Sequence, residues 1–111
     1  MSIEKKELLD RLRQEYHRGT LTLVVLSVLK EKRYGYALVQ QLQESGLDVS
    51  QDTIYPLLRR LEQQKLLQSE WIIDGSRPRK YYFASDEGNR VISELQQEWL
   101  TYTETIRGII Q

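Results

Sequence analysis

Arg77, Arg79 and Lys80 place three cations within four residues, at the end of and just beyond the turn-forming run Asp74-Gly75-Ser76-Arg77-Pro78. Their chemistry is electrostatic. Each phosphate such a group neutralises releases condensed counterions, so the contact is strong at low salt and weak at high salt. A second set sits at helical spacing. Gln51, Thr53, Tyr55, Arg59 and Gln63 carry hydrogen-bonding groups outward from a stretch whose inward stripe is Ile54, Leu57, Leu58 and Leu61. These side-chain types match base edges and phosphate oxygens. Tyr55 has two readings at this stage, contact with nucleic acid or packing beneath the neighbouring hairpin, and its outward phase favours contact. Arg59 and Arg60 are adjacent and point about 100° apart on a helix. One of them faces the ligand, and the other is expected to pair with a nearby acid.

Other chemistries lack their residues. There is no cysteine among the 111 residues, which excludes a disulfide framework, a zinc finger and thiol catalysis. His17 is the single histidine, without partners for a metal site. Asp86/Glu87 and Glu94/Glu98 are carboxylate pairs, better explained by helix-start electrostatics and a solvated face than by acid–base work. No glycine-rich phosphate loop, dinucleotide fingerprint or nucleophile–base pair is present. The expectation is a protein that is not an enzyme and uses no cofactor or metal.

The chain carries 16 basic and 16 acidic residues, for a net charge of zero. A polycation that coats nucleic acid through bulk charge is thereby excluded, and any such site must come from local arrangement. Local arrangement there is: residues 1–33 are net +3, 34–49 net −2, 50–84 net +2 and 85–111 net −3. The C-terminal segment is therefore a poor partner for phosphate. The apolar run Leu21 to Leu29 is far shorter than the ~20 residues of a membrane span, and the N-terminus has no signal-peptide apolar region. A soluble cytoplasmic protein without a membrane partner is expected.

The elements that must position these residues follow from periodicity. Leu8, Leu9, Leu12 and Tyr16 predict a short amphipathic helix over 4–17, broken at Arg18-Gly19. Thr20 is the expected cap of a second helix, 21–32, apolar on nearly all sides and so central to a core. A third helix, 36–45, turns Ala37, Leu38, Val39 and Leu42 inward, with Gly46 just past its end. Ser50 is placed to cap the helix 50–64, where Pro56 is awkward unless it lies in the first turns. The period then changes to two. Leu67, Ser69, Trp71 and Ile73 alternate with Gln68, Glu70, Ile72 and Asp74, and strand formers return at 80–83, which predicts a hairpin closed by Asp74 to Pro78. Ser85 caps a last helix. Along it Ile92, Leu95, Trp99, Tyr102, Ile106 and Ile109 step by alternating threes and fours, a heptad seam. A domain this small can hardly cover such a seam alone, so a second copy is expected against it.

Three helices followed by a two-stranded hairpin form the plan of a winged helix-turn-helix, in which two helices hold a third for entry into a major groove about 12 Å wide. The fold class expected is mainly α with a two-stranded β wing: a DNA-binding domain over 1–84 and a dimerisation helix over 85–111. Three blocks, Tyr34-Gly35-Tyr36-Ala37-Leu38, Thr53-Ile54-Tyr55-Pro56-Leu57-Leu58-Arg59-Arg60-Leu61-Glu62 and Gly75-Ser76-Arg77-Pro78-Arg79-Lys80-Tyr81-Tyr82, resemble the signature blocks of the PadR-like transcriptional regulators in order and spacing. The single helix after the wing resembles the smaller subfamily.

The resemblance implies a bacterial homodimeric repressor on a near-palindromic double-stranded operator, released by a small molecule. It implies DNA contacts at Tyr34 and Tyr36 beside those at Gln51, Thr53, Tyr55, Arg59, Arg77, Arg79 and Lys80. It also implies that Trp99, eleven residues after Gly88, stacks on a flat aromatic or cationic effector near Tyr102, Leu8, Leu9 and Leu12. On the residues alone, a tryptophan on a heptad seam reads first as interface core and second as a ligand platform. A reading from another class stays open, a winged-helix module that binds protein and not DNA, which the zero net charge permits and the basic hairpin argues against.

Overall fold

The computed structural model describes residues 2–111. In chain order it comprises α1 (Ile3–Val28), β1 (Arg33–Tyr34), α2 (Gly35–Glu44), α3 (Gln51–Gln63), β2 (Leu67–Asp74), β3 (Arg77–Ala84) and α4 (Asp86–Ile110). The three strands form one antiparallel sheet in the order β1-β3-β2. Among the described residues no helix is long and apolar enough to cross a membrane.

The core is built from one stripe of each element. Val25, Leu26 and Leu29 come from the end of α1, Leu38, Val39 and Leu42 from α2, and Ile54, Leu57, Leu58 and Leu61 from α3. Leu67, Tyr82 and Ala84 of the sheet and Ile92 of α4 close it. The sheet is pinned to α1 by the backbone: the Ala84 amide donates to the Leu29 carbonyl at 2.7 Å. Both helices that flank the inter-helix turns end alike. Beyond α2, Gly46 has φ of +102°, and the Leu47 amide donates back to the Leu42 carbonyl. Beyond α3, Lys65 takes the same left-handed conformation at φ of 63° while the Leu66 amide donates to the Leu61 carbonyl. These are Schellman closures, and they turn the chain sharply without leaving carbonyls unpaired.

Three boundaries differ from the sequence reading. First, Arg18-Gly19 does not break the chain: α1 is one helix of 26 residues capped by Ser2, whose hydroxyl accepts from the Lys5 amide at 3.2 Å. Thr20 is not a cap; its hydroxyl donates to the His17 carbonyl one turn back. A lone interior glycine costs about 1 kcal/mol relative to alanine, too little to stop a helix whose far end is anchored in the core. A Cβ at Gly19 would meet nothing within 4 Å, so Gly19→Ala is expected to raise the unfolding free energy by up to about 1 kcal/mol. A urea midpoint no higher than that of the parent would refute this.

Second, Arg33 and Tyr34 form a strand, pairing with Tyr82 and Tyr81, so the sheet has a third member. Two residues carry no periodicity, and only their partners on β3 make them a strand. Third, β3 begins at Arg77, leaving Gly75-Ser76 as the connection, with Gly75 at φ of +73°. Pro78 thus lies inside the ladder, opposite Ile73. Ser50 precedes α3 as expected, but its side chain makes no cap bond; its carbonyl accepts from the Thr53 and Ile54 amides instead.

Candidate nucleic-acid interface

Residues from three separate segments meet around one groove of about 190 Å³ between the start of α2, α3 and the hairpin. Its walls include Tyr34 and Tyr36, Tyr55, and Arg79 and Lys80. Gly35 lets the start of α2 come up against Tyr55. A Cβ there would lie 2.5 Å from the Tyr55 ring, so a larger residue would displace that ring from its present place in the groove. Tyr55 is half-buried, and burial, with a smaller contribution from Tyr82, raises its phenol above the ordinary value of 10.0. It remains a neutral hydrogen-bonding group that faces both the groove and the packing beneath the hairpin.

The remaining expected contacts on α3, Gln51, Thr53 and Arg59, are exposed on its outward face. The adjacent arginines divide as their angular separation requires. Arg60 turns back to α1, where its guanidinium donates to the Thr22 hydroxyl at 3.3 Å, a hydroxyl where an acid was expected. Arg59 is left on the outward side.

On the hairpin the three cations are held differently. Arg77 is exposed beside the tip. Arg79 lies over the Tyr34 ring, 4.7 Å from its centroid. Tyr34 in turn stacks on Tyr36 at 6.4 Å and meets Tyr81 edge-on at 5.6 Å. A guanidinium on an aromatic face loses less rotamer freedom on binding than a free one. Lys80 is drawn inward: its ammonium is 3.5 Å from a Glu62 carboxylate oxygen and 5.3 Å from the Tyr82 ring centroid. Glu62 also accepts from the Ser69 hydroxyl, which fastens the hairpin root to α3. Lys32 pairs with Glu70 on the other side of the hairpin and lies 4.9 Å from the centre of Phe83.

The residues expected to meet an effector or a second chain are distributed along α1 and α4. A larger groove, about 630 Å³, runs between these helices and is lined by Leu23, Leu95, Glu98, Trp99 and Tyr102 among others. Leu8 and Leu12 do not line it. Its α1 wall is Gly19, Thr20, Thr22 and Leu23. Because α1 is one continuous helix, Leu12 lies about two turns from that wall and Leu8 farther still; both are half exposed. The expected seam is also shorter at its start. Ile92 is fully buried in the chain's own core, so the open part runs from half-buried Leu95 through Trp99, Tyr102 and Ile106 to Ile109.

Two exposed residues escaped the sequence reading. Trp71 and Ile73 alternate correctly for an inward strand face, yet both are solvent-exposed, because the helices cover that face only as far as Ser69. The signal was present in the hairpin's length, since a wing that reaches past its supporting helices bares both faces.

The comparisons agree with this geometry. The family model described as the Transcriptional regulator PadR-like family matches residues 25–94. A PadR-family transcriptional regulator from Eggerthella lenta, known by crystal structure, is 42% identical with a TM-score of 0.90, covering 99% of this chain and 98% of its own. A PadR-like regulator from Bacillus cereus is 32% identical with a TM-score of 0.78, over 85% of this chain and 94% of its own. A transcriptional regulator of Mycobacterium tuberculosis is 34% identical over 82 residues, 73% of this chain and 77% of the relative. The groove-lining blocks, the winged fold and these likenesses coincide: the chain belongs to the PadR-like family of transcriptional regulators.

Proposed function

We propose that the chain works in the cytoplasm as a homodimeric, sequence-specific repressor. Its two α3 helices enter successive major grooves about 34–36 Å apart on a near-palindromic operator. The observation that carries this reading is the single groove where Tyr34, Tyr36, Tyr55, Arg79 and Lys80 converge from three segments. Gln51, Thr53 and Arg59 read base edges and phosphates from α3, and the hairpin cations hold the flanking backbone. Residues 1–84 form the reading head, with the first turns of α4 built into its core through Ile92. The rest of 85–111 pairs the two copies.

The test is a titration with the duplex upstream of the chain's own gene across a range of salt. Binding is expected to weaken steeply as salt rises. Arg77→Ala with Arg79→Ala removes two cations from each copy and is expected to weaken binding to every duplex and to lower the log–log salt slope of the dimer by about four. A chain that binds no duplex at low salt, but captures a protein partner, would instead be an interaction module.

Release belongs to the groove beside Trp99. Trp99 and Tyr102 offer flat stacking faces, and Glu98 lines the same space, a combination suited to a flat cation. Such a ligand at the dimer centre changes the separation of the two reading heads and so favours the unbound geometry. Flat aromatic cations are expected to quench tryptophan emission and to weaken operator binding together. Quenching with no change in DNA affinity would separate the ligand from regulation.

A further inference from the structure

Thr22 belongs to two places at once. It lines the groove between α1 and α4, and its hydroxyl accepts from the Arg60 guanidinium at 3.3 Å. One wall of that groove therefore holds α3. The α4 wall holds α3 as well, at a second point. The Ser85 amide and hydroxyl, at the start of α4, donate to the Leu66 and Lys65 carbonyls at 3.0 and 2.7 Å, just past the end of α3. The two walls are themselves joined where the Gln96 amide of α4 donates to the Ser27 hydroxyl of α1 at 3.3 Å. Thr22 lies about 7.5 Å along α1 from Ser27, on the side where the groove opens. Anything seated between the walls there parts α1 from α4 and pulls the two attachments of α3 in different directions. They are not equally firm. Backbone carbonyls beside the core hold one, whereas the other is an exposed side-chain bond at the long end of the range. The attachment that yields is the one at Arg60.

We propose that Arg60 is a positioning residue: its bond to Thr22 sets the rotation of α3 about its own axis, and α3 senses an occupant of the α1–α4 groove through the loss of that bond. This rests on the DNA-reading and release functions above. It adds a route inside one subunit to the change in separation between two. Arg59 stands about 100° round the helix from Arg60, so the outward face turns when Arg60 lets go. Arg60 itself touches no DNA in this scheme, and its effect on binding runs through Thr22.

The test needs no ligand. Thr22→Val removes the acceptor while keeping shape and helix propensity, and Arg60→Met removes the donors on a straight chain. The full chain is titrated with the duplex upstream of its own gene and with an unrelated duplex of equal length. Each single variant is expected to bind the upstream duplex about fivefold more weakly, the scale of one hydrogen bond, and Thr22→Val to bind the unrelated duplex as the parent does. The double variant is expected to lose no more than either single one, because both remove the same bond. Gly19→Phe supplies a built-in occupant, since position 19 lines the groove and a Cβ there meets nothing within 4 Å. It is expected to weaken upstream-duplex binding in the parent background and no further in the Thr22→Val background. Parent-like affinity in Thr22→Val, additive losses in the double variant, or an equal effect of Gly19→Phe in both backgrounds overturns the proposal. So does a lower salt slope in Arg60→Met with Thr22→Val unchanged, which would make Arg60 a phosphate contact. If the parent itself binds no duplex at low salt, the DNA-reading function fails first and takes the coupling with it.

Discussion

Gly88→Ala is expected to cost at least about 2 kcal/mol of unfolding free energy, the scale of forced overpacking in a closed site. A Cβ at position 88 would sit 2.1 Å from the Leu66 carbonyl oxygen and 3.1 Å from its carbon. Neither neighbour is a flexible side chain. The Leu66 carbonyl accepts from the Ser85 amide at 3.0 Å, and the Leu66 amide is committed to the Leu61 carbonyl. On the α4 side, the Ser85 hydroxyl accepts from the Gly88 amide at 3.0 Å and donates to the Lys65 carbonyl at 2.7 Å. Relief therefore means breaking a cap or a Schellman closure. Gly108→Ala is the control, because it lies on the same helix with nothing within 4 Å of its Cβ; it is expected to be neutral or to stabilise by up to about 1 kcal/mol. Urea unfolding of both variants checks the pair. A Gly88 variant as stable as the parent would mean that the junction is looser than the contacts require.

If two copies pair along α4 on an operator as proposed, Tyr102→Glu with Ile109→Glu is expected to separate them and, with that, to weaken operator binding by about two to four orders of magnitude, the scale gained when two binding modules are linked. The two side chains are 64% and 77% exposed in the single chain, so neither substitution disturbs the core. Their neighbours Glu98 and Glu104 already give this segment negative charge. Four added carboxylates across a two-fold seam would oppose association without any new clash. Sedimentation should report single subunits at micromolar concentration, and the salt-matched titration should show the loss. A variant that stays dimeric, or a monomer that holds the operator as tightly as the parent, would remove the seam from the account.

Much of this architecture is legible in the chain itself. The stripes Ile54-Leu57-Leu58-Leu61 and Leu38-Val39-Leu42 lie in the core as their period demands, and Ser85 caps α4 as its position before Asp86 predicts. The departures share one cause: they depend on what lies opposite. Arg33 and Tyr34 become a strand because Tyr82 and Tyr81 offer a free edge. Gly19 stays helical because the residues after it are anchored elsewhere. The reason for Gly35 is the Tyr55 ring, twenty residues on, which the local pattern around Tyr34 does not reveal. For the groove, sequence identified Tyr34, Tyr36, Tyr55, Arg79 and Lys80 separately, while the division of labour between Arg59 and Arg60 needed α1 in place. Trp71 and Ile73 show the same limit, since alternation says which residues share a face and not how far that face is covered.

The unbroken course of α4 has a mechanical side. Its first turns are locked to the α3–β2 junction and its later ones stand outside the core, with no glycine hinge or proline kink at the boundary. Such a rod neither absorbs nor damps a small rotation. At 1.5 Å per residue it is about 37 Å long, so a tilt of about 5° at one end sweeps the other by about 3 Å. A displacement of that size is comparable to the reach of one hydrogen bond; if α3 reads base edges as proposed, it puts them out of range without any unfolding.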